Sequence, residues 1–178
     1  MGSVQAKNHL AGVGLVEILI TVAILALVSL AAAPQLIDYI QNRRLYNSLN
    51  EFQSAVTLAR SEAIRRNTSV RLSSINSNPN NLWGNGWRVW IDENANNQFE
   101  ANVDLVLLSR GILPPGVTVN NAAGVATIEF SGSGFIRNFT PNNVTTQAID
   151  IQLCTSNSGE VISISINGLT SNMRGNCA

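Results

Sequence analysis

From Ile18 to Ala33 the chain runs sixteen residues without a charge. Carried back to Val13 as a helix, the segment spans 21 residues, roughly 31 Å at 1.5 Å per residue, which matches the hydrocarbon core of a bilayer. The mean hydropathy of the whole chain, +0.12 over 178 residues, is supplied largely by this run, so the remainder is slightly hydrophilic. Glu17 is the exception at its head. A carboxylate so close to hydrocarbon needs a partner or a place at the interface.

On the residues alone three readings of the segment stay open. Ala31 and Ala33 make the small-x-small pattern of a secretory signal cut after Ala33, with Lys7 as a meagre basic region; Pro34 and Glu17 count against it. A plain transmembrane anchor with Glu17 near the headgroups is the second. The third begins from the Gly12-Val13-Gly14-Leu15-Val16-Glu17 segment at the head of the run, a glycine followed after five residues by glutamate. Orientation is weakly specified, because Lys7 and the terminal amine stand before the run while Arg43 and Arg44 stand after it.

Eleven basic and eleven acidic residues give no net charge, which excludes nucleic-acid binding by bulk positive charge. The single histidine, His9, precedes the run. No catalytic constellation and no cofactor site is legible, so an enzyme is not expected.

Beyond Pro34, Leu45, Leu49, Phe52, Val56, Ala59 and Ala63 recur four and three apart, one stripe on a long helix ending near Asn67. Pro34 removes a backbone donor and is expected to kink that helix. From Val13 to Asn67 it would measure roughly 80 Å, too long to bury itself in a small domain. Glu62 and Arg66 form an i,i+4 pair at the cationic end.

After Asn67 short β-rich pieces alternate with turns in a chain holding 23 asparagines. Candidate strands are 70–74, 86–92, 105–110, 116–119, 126–130, 149–155 and 160–166, the last two joined through Ser156-Asn157-Ser158-Gly159 as a hairpin. Ile162, Ile164 and Ile166 alternate on the face that the half-helix is expected to cover. Asp92, Asn94 and Asn96 alternate as in an EF-hand. Asn97 replaces its glycine and Val103 its last glutamate, so a polar turn is expected rather than a metal site. Cys154 and Cys177, the only cysteines, favour a disulfide in an exported chain, closing a loop of about 22 residues. Asn67, Asn138 and Asn143 begin N-x-Ser/Thr sequons, as chance allows in so asparagine-rich a chain.

Gly12-Val13-Gly14-Leu15-Val16-Glu17 followed by the apolar run resembles the class III signal of type IV prepilins. The departures are Val13 for phenylalanine and Gly14 for threonine. The resemblance implies cleavage between Gly12 and Val13 by a prepilin peptidase, N-methylation of Val13, a subunit-assembly role for Glu17 and a kink at Pro34. Leu58-Ala59-Arg60-Ser61-Glu62-Ala63-Ile64-Arg65-Arg66-Asn67 and Gly86-Trp87-Arg88-Val89-Trp90-Ile91-Asp92-Glu93-Asn94 are similar to segments of the FimT, FimU and GspH group of minor pilins and pseudopilins.

Membership implies an α+β, type IV pilin-like fold: a long N-terminal α-helix packed on an antiparallel β-sheet head. The expected divisions are a leader at 1–12, a transmembrane and filament-core helix at 13–34, an amphipathic half at 35–67 and a β-rich head at 68–178. The implied partners are other pilin subunits, the peptidase, the bacterial inner membrane before assembly and, on one reading, DNA. The implied destination is a cell-surface pilus, with a role in initiating or capping the filament at its tip. Members of the FimT branch that bind DNA carry an arginine-rich glycine motif near the C-terminus; here Leu169 and Thr170 follow Gly168, and Arg174 remains. Arg137, between Phe135 and Phe139, adds a second candidate DNA contact. A pseudopilin of type II secretion would share every one of these features.

Overall fold

The computed structural model describes residues 14–75, 83–120, 124–140, 148–156, 158–175 and 177. Its element order is one helix, α1 (Leu15–Arg66), then nine strands: β1 (Val70–Ser74), β2 (Trp87–Ile91), β3 (Leu105–Arg110), β4 (Thr118–Asn120), β5 (Thr127–Phe130), β6 (Ile136–Thr140), β7 (Ala148–Cys154), β8 (Gly159–Ser165) and β9 (Thr170–Gly175). The chain divides into two compact units, Met1–Tyr39 and Ile40–Ala178.

In the first unit the helix starts at Gly14, whose carbonyl accepts the N–H groups of Glu17 and Ile18 at 3.0 and 3.2 Å. The Thr21 and Ser29 hydroxyls donate to carbonyls one turn back, Ile18 and Leu25, so the apolar helix keeps its polar atoms to itself. Helix continues through position 34.

In the second unit the stripe read from the sequence is buried throughout: Leu45, Leu49, Phe52, Val56, Ala59 and Ala63 are each 2% exposed or less. Alanine at 55, 59 and 63 keeps that face flat, so strands can approach it closely. The strands form two antiparallel sheets rather than one, in the orders β3-β2-β1-β5-β6 and β4-β7-β8-β9. From the first, Val70, Leu72, Val89, Ile128 and Phe130 face the core; from the second, Ile149, Ile151, Leu153, Ile162 and Ile164 do. Phe52 packs edge-on against Trp83 and Trp87, at 5.3 and 5.1 Å between ring centres. The Trp83 indole N–H donates to the Val125 carbonyl at 2.8 Å, which satisfies the polar atom of a fully buried side chain.

Two strands differ from expectation. β6 and β9 were not legible, and Ile166 lies past the end of β8, half exposed in the turn to β9 rather than on the covered face.

Candidate assembly surfaces

The first surface is the start of α1. Ten large apolar side chains between Leu15 and Val28 are each 53–75% exposed. Glu17 sits among them in the first turn, where the helix dipole favours a negative charge. Among the described residues no helix is long and apolar enough to cross a membrane; the side chains of 30–34, Pro34 included, and residues Gly12 and Val13 lie outside what is described.

The second is a clamp built from the β7–β8 hairpin. Ser156 donates to the Gln41 side chain at 2.7 Å and Ser158 to that of Asn42 at 2.5 Å, so the turn grips the helix. Cys154 at the end of β7 is joined to Cys177, with the two Cα atoms 5.9 Å apart. A Cβ on Gly159 would lie 2.1 Å from the Cys177 sulfur, so the bridge occupies the place of a side chain there. In the sequence this glycine had been legible only as a turn residue.

The third is the acidic loop between β2 and β3. Asp92 accepts the N–H groups of Asn96 and Asn97 at 3.2 and 2.8 Å, and Asp104 those of Glu93 and Glu100 at 3.2 and 2.7 Å. Both carboxylates are used in folding the loop. Arg71 ties it to the sheet: its guanidinium stands 3.6 Å from Asp92 and 3.4 Å from Glu129, hydrogen-bonds Asn97, and lies over the Trp90 ring. Arg88 stacks 3.8 Å above Phe99, and burial pushes its pKa down. Among the described residues no group of three or more acids, cysteines and histidines could hold a metal ion.

The last turns of α1 form the fourth. Glu62 accepts hydrogen bonds from Arg65 and Arg66, at 2.9 and 2.8 Å, and these hold its carboxyl well below the usual range, at about 2. Arg60, two residues before Glu62, donates to the Gly134 carbonyl at 3.2 Å. Of the candidate DNA contacts, Arg137 stands exposed on β6 of the first sheet and Arg174 exposed on β9 of the second.

An unbroken helix whose second half underlies two antiparallel sheets, with a disulfide-held C-terminus, can now be compared with known proteins. The family model described as type II transport protein GspH matches residues 48–170, from the later part of the amphipathic half-helix through strands β1 to β8. The chain belongs to the GspH family. Its fold is the type IV pilin-like α+β fold: it is similar to the Pseudomonas aeruginosa (strain PAO1) type IV minor pilin FimU. In the P21 crystal structure the TM-score is 0.58 at 19% identity, covering 75% of this chain and 90% of that one. In the P65 form it is 0.55 at 18%, covering 72% and 91%. No curated protein sequence matches. The GspH family and this fold are those of structural pilin and pseudopilin subunits, which accords with the α+β expectation and the minor-pilin resemblance.

Proposed function

We propose that this chain is a minor pilin, anchored in the bacterial inner membrane with a periplasmic head before assembly, then built into a type IV pilus at or near its tip, where it helps initiate or cap the filament. The observation that carries the reading is the row of ten exposed apolar side chains from Leu15 to Val28 on a GspH-family chain. So much apolar surface is stable only in lipid or against like helices, and a filament core supplies the second once the first is left. Cleavage between Gly12 and Val13 would leave a methylated, positively charged amine four residues before Glu17, for the Glu17 of a neighbouring subunit to neutralise.

Mass spectrometry of the mature protein tests the processing: N-methylated Val13 is expected, and an N-terminus at Pro34 rejects the reading. Glu17→Ala is expected to insert in the membrane normally yet be lost from sheared pili; normal incorporation rejects the charge pair.

The description of the matching family favours a second reading, a pseudopilin of type II secretion. Deletion separates the two, since one predicts loss of pili and the other loss of exoprotein secretion. A nucleic-acid role on the same scaffold rests on exposed Arg137 beside exposed Phe135 and on Arg174. Absence of a low-salt gel shift by the full chain in detergent rejects it.

A further inference from the structure

The face of the first sheet turned away from the core carries its side chains in rows across the strands. In one row Arg71 stands opposite Trp90 on β2 and Glu129 on β5, and its ion pairs close that row on itself. In the next, Ser73 stands opposite Arg88 on β2 and Thr127 on β5. Residues directly opposite in an antiparallel pair share a face, with Cβ atoms about 5 Å apart. Leu72, Val89 and Ile128, their chain neighbours, face the core, so Arg88, Ser73 and Thr127 point outward. With Asn97 and Phe99 of the acidic loop as a wall, the row lines an open cavity of about 310 Å³.

Each member of this row keeps a donor in reserve. The Arg88 guanidinium has the Phe99 ring against its face and, among the described residues, neither a carboxylate nor another acceptor at its edge. The neighbouring acids are engaged: Asp92 and Glu129 with Arg71, Asp104 with the Glu93 and Glu100 N–H groups, and Glu100 with the Asn94 side-chain amide at 2.6 Å. Ser73, 8% exposed, accepts the Trp90 indole N–H at 2.9 Å, which leaves its own proton without an acceptor among the described residues. The Thr127 hydroxyl has no partner among them either. Donors withdrawn from water without an acceptor cost free energy that an arriving acceptor returns.

We propose that this cavity binds a sugar acid, with its carboxylate on the edge of the Arg88 guanidinium and its ring hydroxyls on Ser73 and Thr127. A guanidinium stacked on a ring is held in one plane and offers paired N–H groups that match a carboxylate. The surrounding charge selects the anion. Arg71 with Asp92 and Glu129 leaves one negative charge in the next row, and residues 92–104 hold four acids and no base. A single carboxylate is tolerated there, whereas a doubly charged phosphate or a nucleic-acid strand is repelled. Serine and threonine hydroxyls both donate and accept, as sugar hydroxyls do. An acidic peptide side chain would use Arg88 and leave them idle. The volume lies at the small end for ligand pockets and suits one ring. The site belongs wholly to the second unit and uses neither Glu17 nor the apolar helix start, so it stands or falls separately from filament assembly.

The test is ¹⁵N NMR of the full chain in detergent micelles, read at the Trp90 indole N–H, which Ser73 accepts, and at Arg88 Nε. The Trp83 indole N–H, bonded to the Val125 carbonyl, is the internal reference. Added glucuronate is expected to move the first two signals saturably, with a midpoint of about 1 mM, and to leave the third in place. Glucose, which lacks the carboxylate, and acetate, which lacks the hydroxyls, are each expected to bind at least tenfold more weakly. Arg88→Gln is expected to abolish the response, and Arg88→Lys, which keeps the charge without the planar fork, to weaken it at least tenfold. Thr127→Val is expected to weaken it severalfold at an unchanged thermal midpoint, which separates lost binding from lost fold. A Trp90 signal that stays still, acetate as effective as glucuronate, inorganic phosphate or an N-acetyl-aspartate amide bound more tightly, or an undiminished response in Arg88→Gln would each overturn the proposal.

Discussion

Arg71 shows how one residue can hold a loop. Its side chain is 10% exposed, and the Asp92 and Glu129 side chains it faces are 5% and 14% exposed. Removing the cation leaves two carboxylates in a poorly solvated place, which costs more than the pair itself contributes. Arg71→Met is therefore expected to lower unfolding stability by roughly 3 kcal/mol in urea titrations, and Asp92→Asn with Glu129→Gln on that background to recover much of the loss. Glu62 behaves differently because water reaches its partners. Its carboxyl is depressed to about 2, so its contribution is fully present above the ordinary carboxyl range near 4.5 and is lost as pH falls through about 2. The stability difference between the natural chain and Glu62→Gln should be small and constant at neutral pH, shrink below about pH 5 and vanish near pH 2.

Among the elements, β9 depends most on a covalent tie. It is an edge strand of polar sequence, exposed at Ser171 to Arg174, paired in the sheet with β8 alone and tied further by the Gln53–Asn172 side-chain hydrogen bond and by the Cys154–Cys177 bridge beyond its end. Cys154→Ser with Cys177→Ser is expected to cost about 3 kcal/mol in denaturant, from the loop entropy returned to the unfolded chain. Hydrogen exchange should localise the extra opening to β9, leaving β1 and β5 protected.

The same polarity explains why β9 and β6 were illegible. Thr-Ser-Asn-Met-Arg-Gly and Ile-Arg-Asn-Phe-Thr show no period of two, because each strand has one edge in water and takes its place from its neighbour's register. The helical stripe from Leu45 to Ala63 and strands such as Val70–Ser74 and Trp87–Ile91 were legible because burial imposes a period or a compact apolar run. The row of Arg88, Ser73 and Thr127 was not, because only the pairing of β1 with β2 and β5 brings three residues distant in the chain onto one face.

For the molecule as a whole, the uncharged run and the core are separate in the chain. Among the described residues every member of the core cluster falls between Leu45 and Ile164, and none before it. The hairpin clamp reaches no earlier than Gln41, and the Glu51–Arg110 ion pair at 2.6 Å and the disulfide lie within the second unit. The large apolar side chains described at the helix start are exposed, and none belongs to the core cluster. A chain beginning at Pro34 is therefore expected to dissolve without detergent and to unfold with the thermal midpoint that the full chain shows in micelles, within about 3 °C, followed by near-ultraviolet dichroism of Trp83 and Trp87. A cooperative transition that disappears, or a midpoint lowered by more than about 8 °C, the shift of roughly 2 to 3 kcal/mol in a domain this size, would mean that the first unit stabilises the second and that the run does more than anchor and assemble.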